Sequence, residues 1–514
     1  MLGQVFFCYS VRSFLLASLV WLLPYFGQGQ TYFNQRYANP TAGAQTGFTT
    51  IAVRDSGFLA VGIAYNYPAG VWGSLCLQFL APDGQPERAR YYSPGATPGG
   101  ANALQRLPDG GYILSTQYVP AGFPITRFTR LWRFNALGDT LWTRQWTRQR
   151  GEVPQSLCVL PDGGFALTGD IATGPAAGGA SAMVLTRTDS AGHVLWWQTY
   201  TNLLQNRGTT VSACRDGGFL LGGFSYNGGH YDTFVVKTDS LGQEQWRRIF
   251  GTTTQNEGAA AICALRDGTY IVAASAGTRQ VNGTQLYRYD VHHLDSAGQT
   301  IWSRRLGPEG DANELYTVHE LADGSIVVAG QQNRPDGSNE MEALVFKLCA
   351  DGDTLWYRTH RILNGADSHN YLRDLRPTPD GGFVAAGFVF SRPPDTGTND
   401  GWVFRLDSAG YILAGGAPVT RNCRPLLGLP QEEEGIAGAT VWPNPAPDGR
   451  FTLALPAGSG RRTLRVTDAL GRLVWRGEAA EGNTLVPLNG LAPGLYWLRA
   501  TDANGHGQSW KLVR

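Results

Sequence analysis

Basic side chains recur nine residues before a repeated tryptophan, and this spacing is the first feature that could support chemistry. The basic residues are Arg133, Arg187, Lys237, His293 and Lys347, and Arg405 holds the same place relative to its turn. Such a set at equivalent positions of a closed array could face a channel and attract an anionic ligand. The alternative is a repeated ion pair or hydrogen bond to a neighbouring strand or turn aspartate. Because the pattern is regular, we predict the structural role.

No set of residues with the spacing of a catalytic or metal site accompanies them. We find no nucleophile elbow, zinc-protease helix or phosphate loop. His292 and His293 are adjacent, but a zinc site needs further ligands, and we interpret both as structural. Asp351, Asp353 and the other repeated aspartates could offer oxygens to Ca²⁺, yet each stands where a tight turn favours Asp. The sequence predicts no catalytic residue, no metal and no cofactor, with calcium as the alternative.

The variable segments are the better place to look for ligand contacts, because loops on a rigid scaffold often carry function. Tyr226 and Tyr231 flank a glycine-containing stretch that ends in His230, and we predict these three residues as a contact patch. A hydrolytic site would instead need carboxylates that depart from the repeat. The carboxylates that do so are Asp170, Asp290 and Glu340.

The chain around these residues is built from a repeat. A turn phrase of the Asp-Gly-Gly-aromatic type recurs seven times, at spacings of 51 to 57 residues. Its first residues are Asp55, Asp109, Asp162, Asp216, Asp267, Asp323 and Asp380. Seven copies at a nearly constant period indicate a repeat architecture.

Each repeat contains four predicted β-strands. Asp-Gly favours a tight hairpin turn, a second turn such as Asp189-Ser-Ala-Gly192 precedes the fourth strand, and the fourth strand carries tryptophan. Four antiparallel strands per unit, repeated seven times, predict an all-β, seven-bladed β-propeller over residues 30–414. An open stack of the same units is the alternative. We assign the recurring tryptophans to packing between blades rather than to sugar stacking.

The two ends of the repeat predict how the ring closes. Residues 31–37 have the pattern of a fourth strand, with Phe33 and Tyr37 four residues apart like Trp142 and Trp146. The last repeat has Ala414 where the others have tryptophan. We therefore expect residues 31–37 to supply the outer strand of the last blade, which leaves no wholly unpaired edge at the seam.

The first 29 residues have the features of a signal peptide. Arg12 precedes an apolar run from Phe14 to Leu23, and Gly27-Gln-Gly29 is a small-residue cleavage site. The run is too short to span a bilayer, so we predict export and no membrane span in the mature chain. Of seven cysteines, Cys8 leaves with this segment, and the repeat argues against disulfide bonds between most of the other six.

The composition indicates a folded chain and gives no electrostatic case for binding a polyanion. The 514 residues carry a net charge of +1, which gives no electrostatic basis for nucleic-acid binding. The 67 glycines occur together with 15 Trp, 21 Tyr and 22 Phe, which indicates short strands joined by tight turns rather than disorder.

The repeat stops near residue 415. Residues 415–438 are rich in Gly and Pro and include three consecutive glutamates, so we predict a linker. Residues 439–514 alternate between apolar and polar positions, with a turn about every ten residues. This pattern predicts a small immunoglobulin-like β-sandwich.

Residues 441–514 also resemble the type A sorting domain of the type IX secretion system of Bacteroidetes-type bacteria. The residues that carry the resemblance are Trp442, Pro443, Asn444, Pro445, the turn 468–472, Gly494, Tyr496 and Lys511. The family more often has Tyr at the place of Trp442, and an ordinary immunoglobulin-like adhesion module is the alternative. The resemblance implies export by the type IX machinery to a secreted or outer-membrane surface-attached location. The repeats resemble Asp-Gly-Gly repeats of such exported proteins, for which no activity is settled.

These observations predict an exported binding or interaction protein without enzymatic activity, whose ligand is an extracellular glycan or a protein. One alternative is an extracellular polysaccharide hydrolase or lyase. The other is a structural or adhesive surface protein, because fold alone does not decide between these functions.

Overall fold

The chain folds into two compact units. The computed structural model describes residues 32–39, 44–65, 73–92, 97–119, 127–148, 151–173, 179–202, 204–226, 228–252, 254–335, 340–364, 368–390, 399–412, 439–468, 473–501 and 507–514. The described residues up to 412 belong to one unit and those from 439 to the other. The predicted signal peptide (1–29), linker (415–438) and Ala414 lie outside the described residues. All regular elements in the described part are β-strands, and it contains no helix long and apolar enough to cross a membrane.

Seven antiparallel four-stranded sheets make up the first unit. The chain starts with β1 (Asn34–Tyr37) and continues into the first sheet, β2 (Gln45–Arg54), β3 (Gly57–Tyr65), β4 (Ser74–Leu80) and β5 (Pro86–Tyr92). The second sheet is β6 (Thr97–Arg106), β7 (Tyr112–Val119), β8 (Phe128–Phe134) and β9 (Thr140–Trp146). The third sheet is β10 (Glu152–Val159), β11 (Phe165–Ala172), β12 (Ser181–Thr188) and β13 (Val194–Tyr200). The fourth sheet is β14 (Gln205–Ala213), β15 (Phe219–Tyr226), β16 (Tyr231–Thr238) and β17 (Glu244–Phe250).

The remaining three sheets follow the same order. The fifth sheet is β18 (Ala261–Ala264), β19 (Tyr270–Val281), β20 (Thr284–Leu294) and β21 (Thr300–Gly310). The sixth sheet is β22 (Glu314–Glu320), β23 (Ile326–Asn333), β24 (Met341–Leu348) and β25 (Thr354–His360). The seventh sheet is β26 (His369–Pro377), β27 (Phe383–Phe390) and β28 (Asn399–Leu406), with β1 as its fourth strand.

The seventh sheet takes its outer strand from the N-terminal end of the ring. β1 pairs antiparallel with β28 along its whole length. Arg36 forms an ion pair with Asp400 at 2.5 Å, and Trp402 Nε1 donates a hydrogen bond to Asn34 at 2.7 Å. β2 of the first sheet packs against β26, β27 and β28. The first and last sheets are therefore neighbours, and the sheets close into the β-propeller that the repeat predicts.

The hairpin between the first two strands of a sheet explains the repeated Asp-Gly. In the fourth sheet Gly217 has a φ of +82°, and Asp216 Oδ1 accepts a hydrogen bond from the Gly218 N–H at 3.0 Å. A residue with a Cβ costs about 1 kcal/mol or more in this left-handed conformation. The same aspartate-to-backbone bond recurs in the second to seventh sheets. Each of these repeats thus forms the turn with its own residues.

The second turn joins neighbouring sheets. In five consecutive sheets, the tryptophan of the outer strand lies against the glycine that ends this turn in the next sheet. A Cβ added to any of these glycines would come within 3.0 Å of the indole, so the contact requires a residue without a side chain. Phe33 lies against Gly84 in the same way across the seam. The tryptophan pairs are Trp142–Gly192, Trp196–Gly242, Trp246–Gly298, Trp302–Gly352 and Trp356–Gly410.

The core lies between the sheets and consists mainly of the second and third strands. In the fourth sheet β15 and β16 are buried along nearly their whole length, whereas β17 alternates between exposed and half-buried residues. This burial explains the apolar β-branched and aromatic composition of the inner strands. The described cysteines lie in or beside this core and form no disulfide with one another; they are Cys76, Cys158, Cys214, Cys263 and Cys349.

The second unit is a sandwich of two antiparallel sheets. Its strands are β29 (Thr440–Trp442), β30 (Arg450–Leu455), β31 (Arg462–Asp468), β32 (Leu473–Ala479), β33 (Gly482–Pro487), β34 (Leu495–Thr501) and β35 (Gly507–Val513). One sheet has the order β29-β30-β33 and the other β32-β31-β34-β35. Phe451, Leu464 and Leu498 are among the side chains buried in its core. The arrangement is immunoglobulin-like, except that the fourth strand lies beside the third and not beside the fifth.

Candidate binding site

The first strand of each sheet faces the centre of the ring. Residues of these strands and of the segment leading into β18 line a cavity of about 610 Å³. Cavities of roughly 300–1,000 Å³ are typical of small-ligand sites. Around most of its circumference the lining consists of uncharged residues, small polar ones (Thr, Ser, Asn, Gln) together with apolar ones (Ala, Val, Leu, Ile, Cys). A large or charged side chain in this wall is therefore a departure from the repeat.

A β-bulge in six of the first strands adds one extra residue to the wall of the cavity. The extra residues are Thr49, Asn102, Gln155, Thr209, Tyr316 and Arg373. Thr49 Oγ1 donates to the Ala101 carbonyl at 2.5 Å, and Thr209 Oγ1 donates to the Ala260 carbonyl at 3.0 Å. These side chains tie neighbouring first strands together. The largest members, in the sixth and seventh sheets, bond to each other instead.

Glu314, Tyr316 and Arg373 form a hydrogen-bonded group on this wall, which we call the channel cluster. Arg373 Nη1 donates to the Tyr316 hydroxyl at 2.6 Å, and that hydroxyl donates to the Glu314 carboxylate. Gln331 Nε2 donates to the same carboxylate at 3.3 Å. The guanidinium carbon of Arg373 lies 4.9 Å from the ring centroid of Tyr316 and 5.8 Å from that of Tyr371. An acid, a phenol and a cation therefore stand together, supported by aromatic rings.

The protonation states of the channel cluster favour hydrogen bonding over proton transfer. Burial raises the pKa of Tyr316 well above its ordinary value; Arg373 opposes this rise and Glu314 adds to it. The phenol therefore keeps its proton near neutral pH and does not serve as a base. A guanidinium has five N–H groups, and those of Arg373 that Tyr316 does not use are donors for an oxygen-rich ligand.

Asp374 and His319 also line the cavity, but their polar atoms connect sheets. Asp374 Oδ2 accepts hydrogen bonds from Thr50 Oγ1 at 2.8 Å, from the Ile51 N–H at 3.0 Å and from Arg376 Nε at 3.1 Å. His319 Nε2 donates to the Leu375 carbonyl at 2.7 Å, a tautomer assigned from this acceptor. Burial lowers the pKa of His319 to about 4, so the ring is neutral at physiological pH. Both groups hold the ring together.

The six repeated basic residues lie in the third strands, and their side chains reach the hairpin turns of their own sheets. His293 Nε2 meets the Thr269 hydroxyl of its turn at 2.7 Å. None of the six is among the described residues that line the cavity. The other five form ion pairs with the turn aspartate: Arg133–Asp109, Arg187–Asp162, Lys237–Asp216, Lys347–Asp323 and Arg405–Asp380.

The structure brings the predicted contact patch together at one end of the fourth sheet. Tyr226 ends β15 and Tyr231 begins β16 directly opposite, with their ring centroids 4.6 Å apart. Tyr231 is 39% exposed. His230 Nε2 lies 3.6 Å from Asp232 Oδ1. The patch does not contribute to the described lining of the cavity; it adjoins Glu257, whose N–H donates to the Tyr231 carbonyl at 2.7 Å.

The carboxylates that depart from the repeat do not meet in the described structure. They belong to the third, fifth and sixth repeats, and each forms an ion pair with an arginine. The pairs are Asp170–Arg207, Asp290–Arg305 and Glu340–Arg334.

The sequence pattern did not lead us to predict the channel cluster, although one column of the repeat indicates it. The residues seven positions before the turn aspartate are Asn102, Gln155, Thr209, Ala260, Tyr316 and Arg373 in the second to seventh repeats. A comparison of this column singles out the last two by size and chemistry. Their position in the cavity wall depends on the bulge, which the sequence pattern does not indicate.

In the second unit, the motif residues hold the last strand. Asn444 Nδ2 donates to the Lys511 carbonyl at 2.5 Å, and its Oδ1 accepts from the Val513 N–H at 2.9 Å. The backbones of Gly494 and Arg514 exchange two hydrogen bonds of 2.9 and 3.0 Å. The opening motif, the Gly494 segment and the C-terminal strand thus meet at one place.

The other motif residues lie close to this point. The peptide bonds before Pro443 and Pro445 are cis, and Trp442 is exposed. The Tyr496 hydroxyl donates to the Ala492 carbonyl at 2.6 Å. A tyrosine near the start of a strand that bonds the backbone a few residues upstream is the tyrosine corner of immunoglobulin-like sandwiches.

Comparisons with known proteins identify the second unit. Residues 440–513 match the family described as the secretion system C-terminal sorting domain. The chain therefore ends in a type IX sorting domain, and the protein is secreted or attached to the outer-membrane surface. No curated protein matches the chain.

Similar solved structures have low sequence identity. They include an α-L-arabinanase of Penicillium chrysogenum, with 15% identity over 61% of this chain and 93% of that chain and a TM-score of 0.41. A protein of unknown function from Dyadobacter fermentans has 10% identity over 60% and 94%, with a TM-score of 0.39. A family PL25 ulvan lyase has 12% identity over 61% and 83%, with a TM-score of 0.36. With TM-scores below 0.5, none of these likenesses bears on the activity of this chain.

Proposed function

We propose that this exported protein binds an oligosaccharide in the cavity at the centre of its ring and does not cleave it. The observation that carries the proposal is the channel cluster, where large ionisable side chains stand in a wall of mainly uncharged residues. Equivalent strands offer equivalent side chains all around a ring. A ligand without sevenfold symmetry needs a departure of this kind.

The chemistry of the channel cluster suits a sugar. Hydroxyl groups both donate and accept hydrogen bonds, and the wall offers the Glu314 carboxylate as an acceptor and the Arg373 guanidinium as a donor. The amide side chains of Asn102 and Gln155 line the same cavity. Its volume of about 610 Å³ is sufficient for a short oligosaccharide.

Two observations favour binding over cleavage. Glycoside hydrolysis generally needs two carboxyl groups beside the scissile bond. Of the two carboxylates in the described lining, Asp374 is held by Thr50 and Arg376, which leaves Glu314. Lyase chemistry needs a base, and the raised pKa of Tyr316 opposes that role.

The rest of the chain supports delivery to the outside of the cell. We propose that residues 1–29 are a signal peptide in a Bacteroidetes-type bacterium and that residues 30–414 form the ring. Residues 415–438 would then link it to the sorting domain, 439–514, on which the type IX machinery acts. The proposal requires no cofactor.

The test is a glycan-array and polysaccharide pull-down with the full chain, scored for retention and for released or unsaturated sugar. We expect retention without release. Arg373→Ala should weaken binding about tenfold or more, because a charged hydrogen bond contributes about 1.5–3 kcal/mol. Arg215→Ala is the matched control and should bind like the unchanged chain, since Arg215 lies at a hairpin turn and donates to the Arg266 carbonyl at 3.4 Å.

The other outcomes contradict the proposal in different ways. Released sugar would identify a hydrolase or lyase. Retention that Arg373→Ala leaves unchanged would place the ligand elsewhere, with Tyr226, His230 and Tyr231 as the next candidates. Absence of retention for all glycans would favour a protein ligand or a structural or adhesive surface role.

A further inference from the structure

One buried polar position ties each of several sheets to the sheet before it. It lies ten residues before the turn aspartate, and the fourth, sixth and seventh sheets have asparagine there. Each asparagine donates its Nδ2 to a carbonyl at the start of the third strand of the preceding sheet, where a polar group without a partner would be costly. The bonds are Asn206 to Ser181 at 3.0 Å, Asn313 to Tyr287 at 2.9 Å and Asn370 to Met341 at 3.4 Å.

Glu257 occupies this position before the fifth sheet, where the equivalent carbonyl belongs to Tyr231 and accepts a hydrogen bond from the Glu257 backbone N–H at 2.7 Å instead of from a side chain. Glu257 is 8% exposed, and its Oε2 is buried without a hydrogen-bond partner. A carboxylate cannot donate as an amide does. The structure therefore has an acceptor where three other sheets have a donor, and a positive charge or a proton is needed there.

The third sheet also has a glutamate at this position, but with a cation of its own. Glu152 pairs with Arg148 at 2.7 Å and accepts hydrogen bonds from Trp146 at 3.1 Å and Thr129 at 3.3 Å. Four residues before Glu257 the sequence has Thr253, which carries no charge. Glu257 therefore has no basic residue at the sequence position from which Arg148 pairs with Glu152.

A second carboxyl group lies at the same place. Asp232 is 7% exposed. A methyl group placed on Gly251 would be 2.9 Å from Glu257 Oε2 and closer still to Asp232 Oδ1, so the two oxygens are less than 5.8 Å apart. Burial raises the pKa of both groups, and with the charge of Asp232 that of Glu257 reaches about 8. Without an added cation, the pair retains a proton at neutral pH.

We propose that Asp232 and Glu257 bind a calcium ion between the fourth and fifth sheets. Ca²⁺ bonds oxygen at about 2.3–2.6 Å and completes its shell with backbone carbonyls and water. An ion midway between the two oxygens would be less than 2.9 Å from each, since they are less than 5.8 Å apart. The described residues include no group of three or more His, Cys, Asp or Glu that could hold a metal, so backbone carbonyls and water would have to supply the remaining ligands of this ion.

The neighbouring charged groups leave this pair in need of a cation. Arg305 is held by Asp290 through two hydrogen bonds of 2.7 Å. His230 Nε2 stands 3.6 Å from Asp232 Oδ1. Because an ion must displace the shared proton, calcium affinity should fall as the pH drops below the pKa of Glu257.

The experiment is calorimetric titration of the full chain with calcium chloride, together with thermal unfolding in calcium and in chelator. We expect saturable binding of one ion, a rise in Tm of about 2–5 °C, and weaker binding at mildly acidic pH. Glu257→Asn should fold, because it restores the residue of three other sheets, and should lose the calcium response. Glu152→Gln is the matched control and should keep it.

Two results would overturn the inference. One is the absence of both a binding heat and a Tm change for the unchanged chain at millimolar calcium. The other is calcium binding that remains undiminished in Glu257→Asn and Asp232→Asn, which would place the ion elsewhere. The first result needs no variant, so a variant that fails to fold does not remove the test.

Discussion

At the scale of the residue, the repeated basic side chain should contribute most to stability where it is most buried. Lys237 is 1% exposed, and its Nζ contacts Asp216 and the Thr238 carbonyl at 2.7 Å and Gln245 at 3.0 Å. A buried ammonium is tolerated only with such partners, and removing one leaves an uncompensated charge. Asp55 of the first sheet lacks this cation, because Gln78 stands at the equivalent position.

We expect Asp216→Asn to lower the free energy of unfolding by about 1–3 kcal/mol, measured by denaturant titration. The amide keeps the bond to the turn N–H and removes only the charge. Asp55→Asn is the control and should change the free energy of unfolding much less than Asp216→Asn, because its pair with Arg106 is exposed. Equal effects of the two changes would show that burial of Lys237 does not matter.

The pH dependence of the same pair has a definite sign. Burial would raise the pKa of Asp216, but hydrogen bonds from Lys237 and the Gly218 N–H outweigh it and lower the pKa below the ordinary 3.8. A lowered carboxyl pKa stabilises the fold above the unfolded-state value, and this contribution is lost as the pH falls through the folded-state value. The difference between the unchanged chain and Asp216→Asn should therefore shrink in acid.

These residue-level contacts differ in how far the sequence could predict them. Lys237 and Asp216 lie in one repeat, so the regular spacing already favoured a local ion pair. Tyr316 and Arg373 come from different sheets, and they meet because the first strands of these two sheets, β22 and β26, each have a bulge. Glu257 and Asp232 also come from neighbouring sheets. Contacts within a repeat are visible as a period, whereas contacts between repeats depend on how the ring curves.

At the scale of the element, the contact between an outer-strand tryptophan and the next turn fixes the spacing of the sheets. Gly242 has a φ of +77°, and an added Cβ would lie 2.7 Å from the Trp196 ring. Gly268 has a φ of +87° with nothing within 4 Å of an added Cβ. Both glycines have a positive φ, but only Gly242 lies against a tryptophan ring.

Gly242→Ala should therefore destabilise the fold more than Gly268→Ala, as measured by thermal unfolding. Gly268→Ala should cost about 1–2 kcal/mol from backbone strain alone. Gly242→Ala should cost about 1–3 kcal/mol more, because the indole must move. If both lowered Tm equally, the tryptophan contact would not set the spacing.

The turns and strands were predictable because their chemistry is local. Asp-Gly at a hairpin and alternating apolar residues in a strand act within a few residues, so each repeat carried the same signal. The bulges were not predictable, since the extra residue has no shared type: it is Thr49, Asn102, Gln155 or Arg373 in different sheets. For this reason the sequence pattern predicted the fold but not the channel cluster.

At the scale of the whole molecule, ring closure links the N-terminal strand to the candidate site. β1 completes the seventh sheet, and the same sheet supplies Arg373 on β26. Phe33 packs on Gly84 of the first sheet, and the Tyr37 hydroxyl donates to the Gly84 carbonyl at 2.6 Å. The seam therefore depends on a short segment that is distant in sequence from the strands it completes.

Phe33→Ala should open the seam locally. We expect faster amide hydrogen exchange in β1, β28 and β26 and a severalfold loss of ligand affinity, because Arg373 loses its fixed position. Trp196→Ala removes the same kind of contact inside the ring; it should lower stability while β26 keeps its exchange rate. Unchanged exchange at the seam in Phe33→Ala would show that β1 pairing alone closes the ring.

If the ring holds an intact oligosaccharide against Arg373, a crystal structure of the full chain with a retained oligosaccharide will show it there. Our prediction is an uncleaved sugar in the cavity, with oxygen atoms within hydrogen-bonding distance of Arg373 and Glu314. A sugar bound at the Tyr226–Tyr231 patch, or one cleaved within the cavity, would contradict it.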